Sequence, residues 1–119
     1  MSEAAAPHEL LVCIVMDHHQ VEEILTGFLE LGVRGATVVD SRGMGAILSN
    51  EVPIFAGFRT LFPGGGAGTY AILSVLAVEQ VDDAMAMADE VCGGFSKPGT
   101  GFLFTVPVGR MKGLAEELR

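Results

Sequence analysis

Apolar residues along this chain follow two rhythms. From Leu10 to Met16 nearly every position is apolar ("LLVCIVM"), the pattern of a strand buried on much of both faces. At Asp17 the rhythm changes. Val21, Ile24, Leu25, Phe28 and Leu29 recur at helical spacing, with Glu22, Glu23 and Glu30 between them, so an amphipathic helix is predicted that stops at Gly32. Asp17 is its expected N-cap, and Gln20 the expected reciprocal partner in an Asp version of the capping box. "RGATVVDSR" (34–42) then reads as a β-branched strand.

The same plan recurs sixty positions later, where Gln80-Val81-Asp82-Asp83 repeats Gln20-Val21-Glu22-Glu23. "YAILSVLA" (70–77) reads as a strand. Val81, Ala84, Met85, Ala88 and Val91 form a helical stripe, and Gly93-Gly94 ends it. "GFLFTVPV" (101–108) is the last strand, with Pro107 pointing to a sheet edge or a strand end. The tail, 109–119, has room for one short helix. The order βαββαβ predicts an α+β fold, a ferredoxin-like sandwich: one four-stranded antiparallel sheet with both helices on one face, a single domain over 1–119. The apolar runs imply that the second sheet face is also dry. With no further helix to cover it, that face is expected to pack on another copy of the chain.

The halves are joined by a long connection, "GMGAILSNEVPIFAGFRTLFPGGGAG" (43–68), and connections of this length are often functional. Within it, Ile54, Phe55, Phe58, Leu61 and Phe62 have helical spacing after Pro53, so "PIFAGFRTLF" is expected to form a short helix. Packing within the assembly is the plainer role for its apolar residues; docking of a partner protein is the functional one.

Charge and cysteine use narrow the class. Seven Lys and Arg stand against 15 Asp and Glu, a net charge of −8 that repels a phosphate backbone and argues against nucleic acid. Cys13 and Cys92 lie in apolar stretches without CxxC spacing, as reduced thiols do, with Cys92, at a helix end, the more open to reaction. "MSEAAAPHEL" lacks the basic and hydrophobic regions of a signal peptide, and no apolar run approaches the ~20 residues a membrane span needs. A cytoplasmic protein without membrane insertion is expected.

Candidate chemistry is sparse. In "KPGTG" (97–101) the amides of Gly99, Thr100 and Gly101 can form an anion nest beside Lys97; an ordinary turn is the competing reading. Asp17-His18-His19 invites a metal, but neighbours on a helix diverge by about 100°, so exposed histidines are the expectation. Nucleophile elbow, paired catalytic carboxylates and Walker lysine are all missing, and "PGGGAG" fails the dinucleotide-binding spacing. No enzymatic activity and no metal site are expected. The acidic residues Glu22, Glu23, Asp82, Asp83 and Glu90 read as solvated helix faces.

"GVRGATVVDSRGMG", the long loop, the second strand–helix unit and "KPGTGFLFTVPV" together resemble the PII signalling-protein superfamily over Leu10 to about Val108. The resemblance implies a homotrimer whose sheets face a central barrel. The 43–68 segment then corresponds to the target-contacting T-loop, and 95–101 to the nucleotide-holding B-loop. It implies effector-binding roles for Arg42, Gly43, Gly45, Lys97, Gly99, Thr100 and Gly101. The effector it suggests is an adenine nucleotide, AMP or ADP ahead of ATP because few cations are at hand, and the target a transporter or an enzyme. The chain departs from the nitrogen-signalling members at several places. Ala46 and Ile47 follow the Gly-x-Gly where arginine and glutamine are usual. Thr100 and Phe102 replace an aspartate and a lysine, and Gly113 and Ala115 fall near two expected arginines. Tyr70 lies on a strand, not in the T-loop. A divergent branch, apart from ATP/2-oxoglutarate sensing, is implied. The alternatives are a ligand-free scaffold of the same shape and a metal-binding trimer resembling the copper-tolerance proteins.

Overall fold

The computed structural model describes residues 7–54, 57 and 68–113. Four strands, β1 (His8–Val15), β2 (Thr37–Ser41), β3 (Thr69–Ala77) and β4 (Phe102–Pro107), form one sheet in the order β2-β3-β1-β4. All three pairings are antiparallel, with Val12 opposite both Leu73 and Phe104. Helices α1 (His18–Glu30) and α3 (Val78–Val91) follow β1 and β3. This is the expected ferredoxin-like arrangement, with Pro107 on an edge strand as its missing donor requires.

The core lies between helices and sheet. Strand alternation sends Leu11, Cys13 and Val15 of β1 and Ile72 and Leu76 of β3 to the helical side, where they meet Val21, Ile24 and Phe28 of α1 and Val81, Ala84 and Ala88 of α3. The helices approach closely at Gly27, where an added Cβ would lie 2.5 Å from the Met87 sulfur. The opposite sheet face carries Leu10, Val12 and Ile14, Leu73 and Val75, and Phe102, Phe104 and Val106 in register. The last three are 54%, 44% and 44% exposed, so the second face is as apolar as its sequence predicts and is bare in the protomer.

Several local expectations need correction. Asp17 does cap α1, accepting a 2.8 Å hydrogen bond from the His19 amide, but Gln20 does not reciprocate: its Oε1 has no partner. The reciprocal bond occurs in the second repeat, where Gln80 Oε1 accepts from the Ala77 amide at 3.1 Å. Leu29 is 66% exposed, outside the α1 stripe, because the buried arc ends at Phe28. β2 is shorter than 34–42, and all of it but Ser41 is exposed.

Two helices do not exhaust the chain. A third, α2 (Met44–Glu51), opens the long connection. It buries only Ala46 and Ser49, and the Ser49 hydroxyl donates 2.6 Å back to the Gly45 carbonyl. The helix expected over 53–62 falls outside the described residues apart from Pro53, Ile54 and Gly57; the tail is not helical over 109–113 and lies outside them beyond that.

Candidate functional site

The turn between α3 and β4 is built by its own hydrogen bonds. α3 ends at Cys92, and Gly93 and Gly94 carry φ of +77° and +103°, values that L side chains rarely adopt. The Phe95 amide donates to Asp89 Oδ1 at 2.7 Å, tying the loop to the helix. The Gly94 carbonyl accepts twice, from the Lys97 amide and from the Thr100 hydroxyl, both at 3.1 Å; that hydroxyl also reaches the Lys97 carbonyl at 2.9 Å. Gly101 then passes against β1, where a Cβ would sit 2.2 Å from the Ile14 carbonyl oxygen. The segment "KPGTG" is therefore a braced turn. Pro98 and Gly99 form the middle of a turn that closes at Thr100, and the Gly99 amide gives no bond to a backbone carbonyl among the described residues.

This turn forms one wall of a cavity of about 510 Å³, a volume in the range of small-molecule sites. Lys97, Pro98, Gly99 and Gly101 line that wall. Gly43, Met44, Gly45 and Ala46, the start of α2, line the facing one, and Ile14, Met16, Phe95 and Phe102 supply apolar surface. Ile14 and Phe102 are register partners on the bare sheet face, so the cavity opens at the end of that face.

Of the seven candidate residues, the fold gathers five around this cavity: Gly43, Gly45, Lys97, Gly99 and Gly101. Thr100 braces the turn without lining the space. Arg42 stands one residue outside it, its guanidinium paired with the Glu51 carboxylate at the far end of α2. Sequence reading missed the apolar lining. Met16 and Phe95 reach the cavity as the residues just beyond a strand and a helix, positions that carry no periodic signal.

The remaining candidates lead elsewhere. His18 and His19 are exposed; His18 lies 3.3 Å from Glu22 and tilts against Tyr70, with ring centres 5.6 Å apart. Among the described residues no three His, Cys, Asp or Glu side chains gather in a way that could hold a metal ion. Both thiols are buried, Cys13 at 0% and Cys92 at 5% exposure. Burial, with Cys92 as a second cause, pushes Cys13 from 9.0 up to about 12. Burial, then Asp89 and Glu23, raises Cys92 as well. Neither thiol gains thiolate character at neutral pH.

No family model matches the chain, and no curated protein matches it either. Among solved structures, Arabidopsis thaliana PII bound to citrate is similar over 87% of this chain and 78% of that one, with a TM-score of 0.61 at 20% identity. The fold is therefore PII-like. No helix among the described residues is long and apolar enough to cross a membrane.

Proposed function

We propose that the chain is a non-enzymatic, homotrimeric PII-like regulator that binds a small anionic effector in the 510 Å³ cavity and signals occupancy through the 43–68 loop. One observation carries the reading: the start of that loop and the 95–101 turn are opposite walls of a single space. A ligand seated there touches both, so it has a direct means of changing the loop. Lys97 supplies the charge, the Gly99 amide supplies a donor, and the apolar lining suits a planar base, which makes an adenine nucleotide the first candidate. The bare face supports assembly into a trimer: its apolar strands need cover, and a copy laid on it would reach the cavity mouth through Ile14 and Phe102. The target would be a transporter or an enzyme meeting the loop, and the cytoplasm is the compartment that fits free thiols.

Titration calorimetry with AMP, ADP and ATP tests the reading, with Lys97→Ala as control. Binding by the native chain that falls at least about tenfold in the variant supports it, since one charge-assisted contact is worth ~1.5–3 kcal/mol. Absence of heat with all three at millimolar concentration contradicts it. A second reading, a ligand-free scaffold, is favoured by Met44 and Ile54, which are 70% and 75% exposed and call for cover within an assembly. In that case no ligand raises the melting temperature.

A further inference from the structure

Resting on the effector-site reading above, we infer that the cavity selects a ligand with one anionic group on an apolar or planar body, and that Glu51 sets this preference by withholding Arg42. The described residues include five cations, Arg34, Arg42, Lys97, Arg110 and Lys112, and only Lys97 lines the cavity. It takes part in no ion pair among the described residues, whereas Arg42 does. Arg42 directly precedes Gly43, a cavity residue, so a short swing would bring a second cation to the wall. The pair with Glu51 opposes that. Glu51 closes α2 while Met44, Gly45 and Ala46 of its first turn face the cavity, so the carboxylate lies roughly 10 Å further along the helix axis. The guanidinium is drawn along α2, away from the space it could serve.

What remains is one ammonium and a few amides amid Ile14, Met16, Met44, Phe95 and Phe102. Each further phosphate would enter apolar surroundings without a counter-charge, and desolvating an unpaired anion is strongly unfavourable. A single phosphate or carboxylate beside Lys97, with its body against the aromatic rings, meets the smallest such penalty. The Arg42–Glu51 pair is solvent-exposed, and exposed pairs are weak. It therefore acts as a selector that one substitution can undo.

The test measures affinities of AMP, ATP and 2-naphthoate, an aromatic monocarboxylate, for the native chain, Glu51→Gln, and the Glu51→Gln/Arg42→Gln double variant. Native protein is expected to bind AMP or 2-naphthoate at least as tightly as ATP. Glu51→Gln should tighten ATP by up to about fivefold and AMP by less than about twofold, the most that release from an exposed ion pair allows. The double variant should return to the native ratio, separating the release of Arg42 from mere loss of negative charge. Naphthoate binding without AMP binding would defeat the nucleotide reading and leave this inference standing. Tighter native binding of ATP, an unchanged ATP-to-AMP ratio in Glu51→Gln, a gain that persists in the double variant, or no binding of either ligand with one anionic group would overturn it.

Discussion

Gly101 joins the turn to the sheet and is irreplaceable on two counts. Its φ is +107°, and a Cβ would collide with the Ile14 carbonyl, a backbone atom that cannot rotate away. Gly99 shares the first constraint, with φ of +78°. Gly101→Ala should therefore cost about 3 kcal/mol or more and Gly99→Ala about 1 kcal/mol in urea unfolding, and equal losses would refute the close approach to β1. The sequence motif made both glycines visible, but only the strand register separates their roles. Cys13 carries a second expectation at this scale. Its thiol is neutral in the fold up to about pH 12, while in the unfolded chain it ionises near its ordinary 9.0. Below pH 9 both states hold the proton and stability is unaffected. Between 9 and 12 the unfolded chain alone loses it, so stability falls as pH rises, by up to ~1.4 kcal/mol per pH unit. Cys13→Ala should flatten that alkaline limb in denaturant titrations, and an identical limb would contradict it.

At the scale of elements, the internal repeat was legible because burial imposes period and spacing on strand–helix units, and those survive in the amino-acid pattern. The capping of each unit was not. Gln20 and Gln80 occupy equivalent positions, yet only Gln80 bonds its cap amide, and its Nε2 also points to the Leu31 carbonyl at 3.5 Å. α1 already has the Asp17 carboxylate, whereas the cap of α3 is Ala77, with no oxygen to offer. Gln80→Ala should cost about 1 kcal/mol in thermal or urea unfolding and Gln20→Ala a few tenths, and the reverse order would show the caps misassigned. α2 escaped sequence analysis for a related reason. Gly43, Met44 and Gly45 lead into a helix of eight residues that buries only two, too short and too weakly amphipathic to announce itself by periodicity. Its contact between Arg42 and Glu51 joins residues nine apart, a spacing that no helical rule links.

For the whole molecule, the apolar runs of β1, β3 and β4 already implied two dry sheet faces, and the fold leaves one of them bare. Phe102, Phe104 and Val106 stand on an edge strand beside Leu10, Val12 and Ile14, a contiguous patch of the kind that protomers bury. The same face ends at the cavity, so the proposed assembly and the proposed ligand binding would draw on one surface. Charge reinforces the separation of roles: the helices carry acids such as Glu22, Glu23, Asp82 and Asp83, and the strand acids Glu9 and Asp40 share the helical-side parity of Leu11 and Ile72, which leaves the bare face apolar. The measurement that bears most directly on this account is solution mass by sedimentation equilibrium at micromolar concentration. It should give three times the 12.5 kDa chain mass for the native protein, falling to a single chain in Phe104→Asp. A native particle of 12.5 kDa would leave the apolar face uncovered and contradict the account at its root.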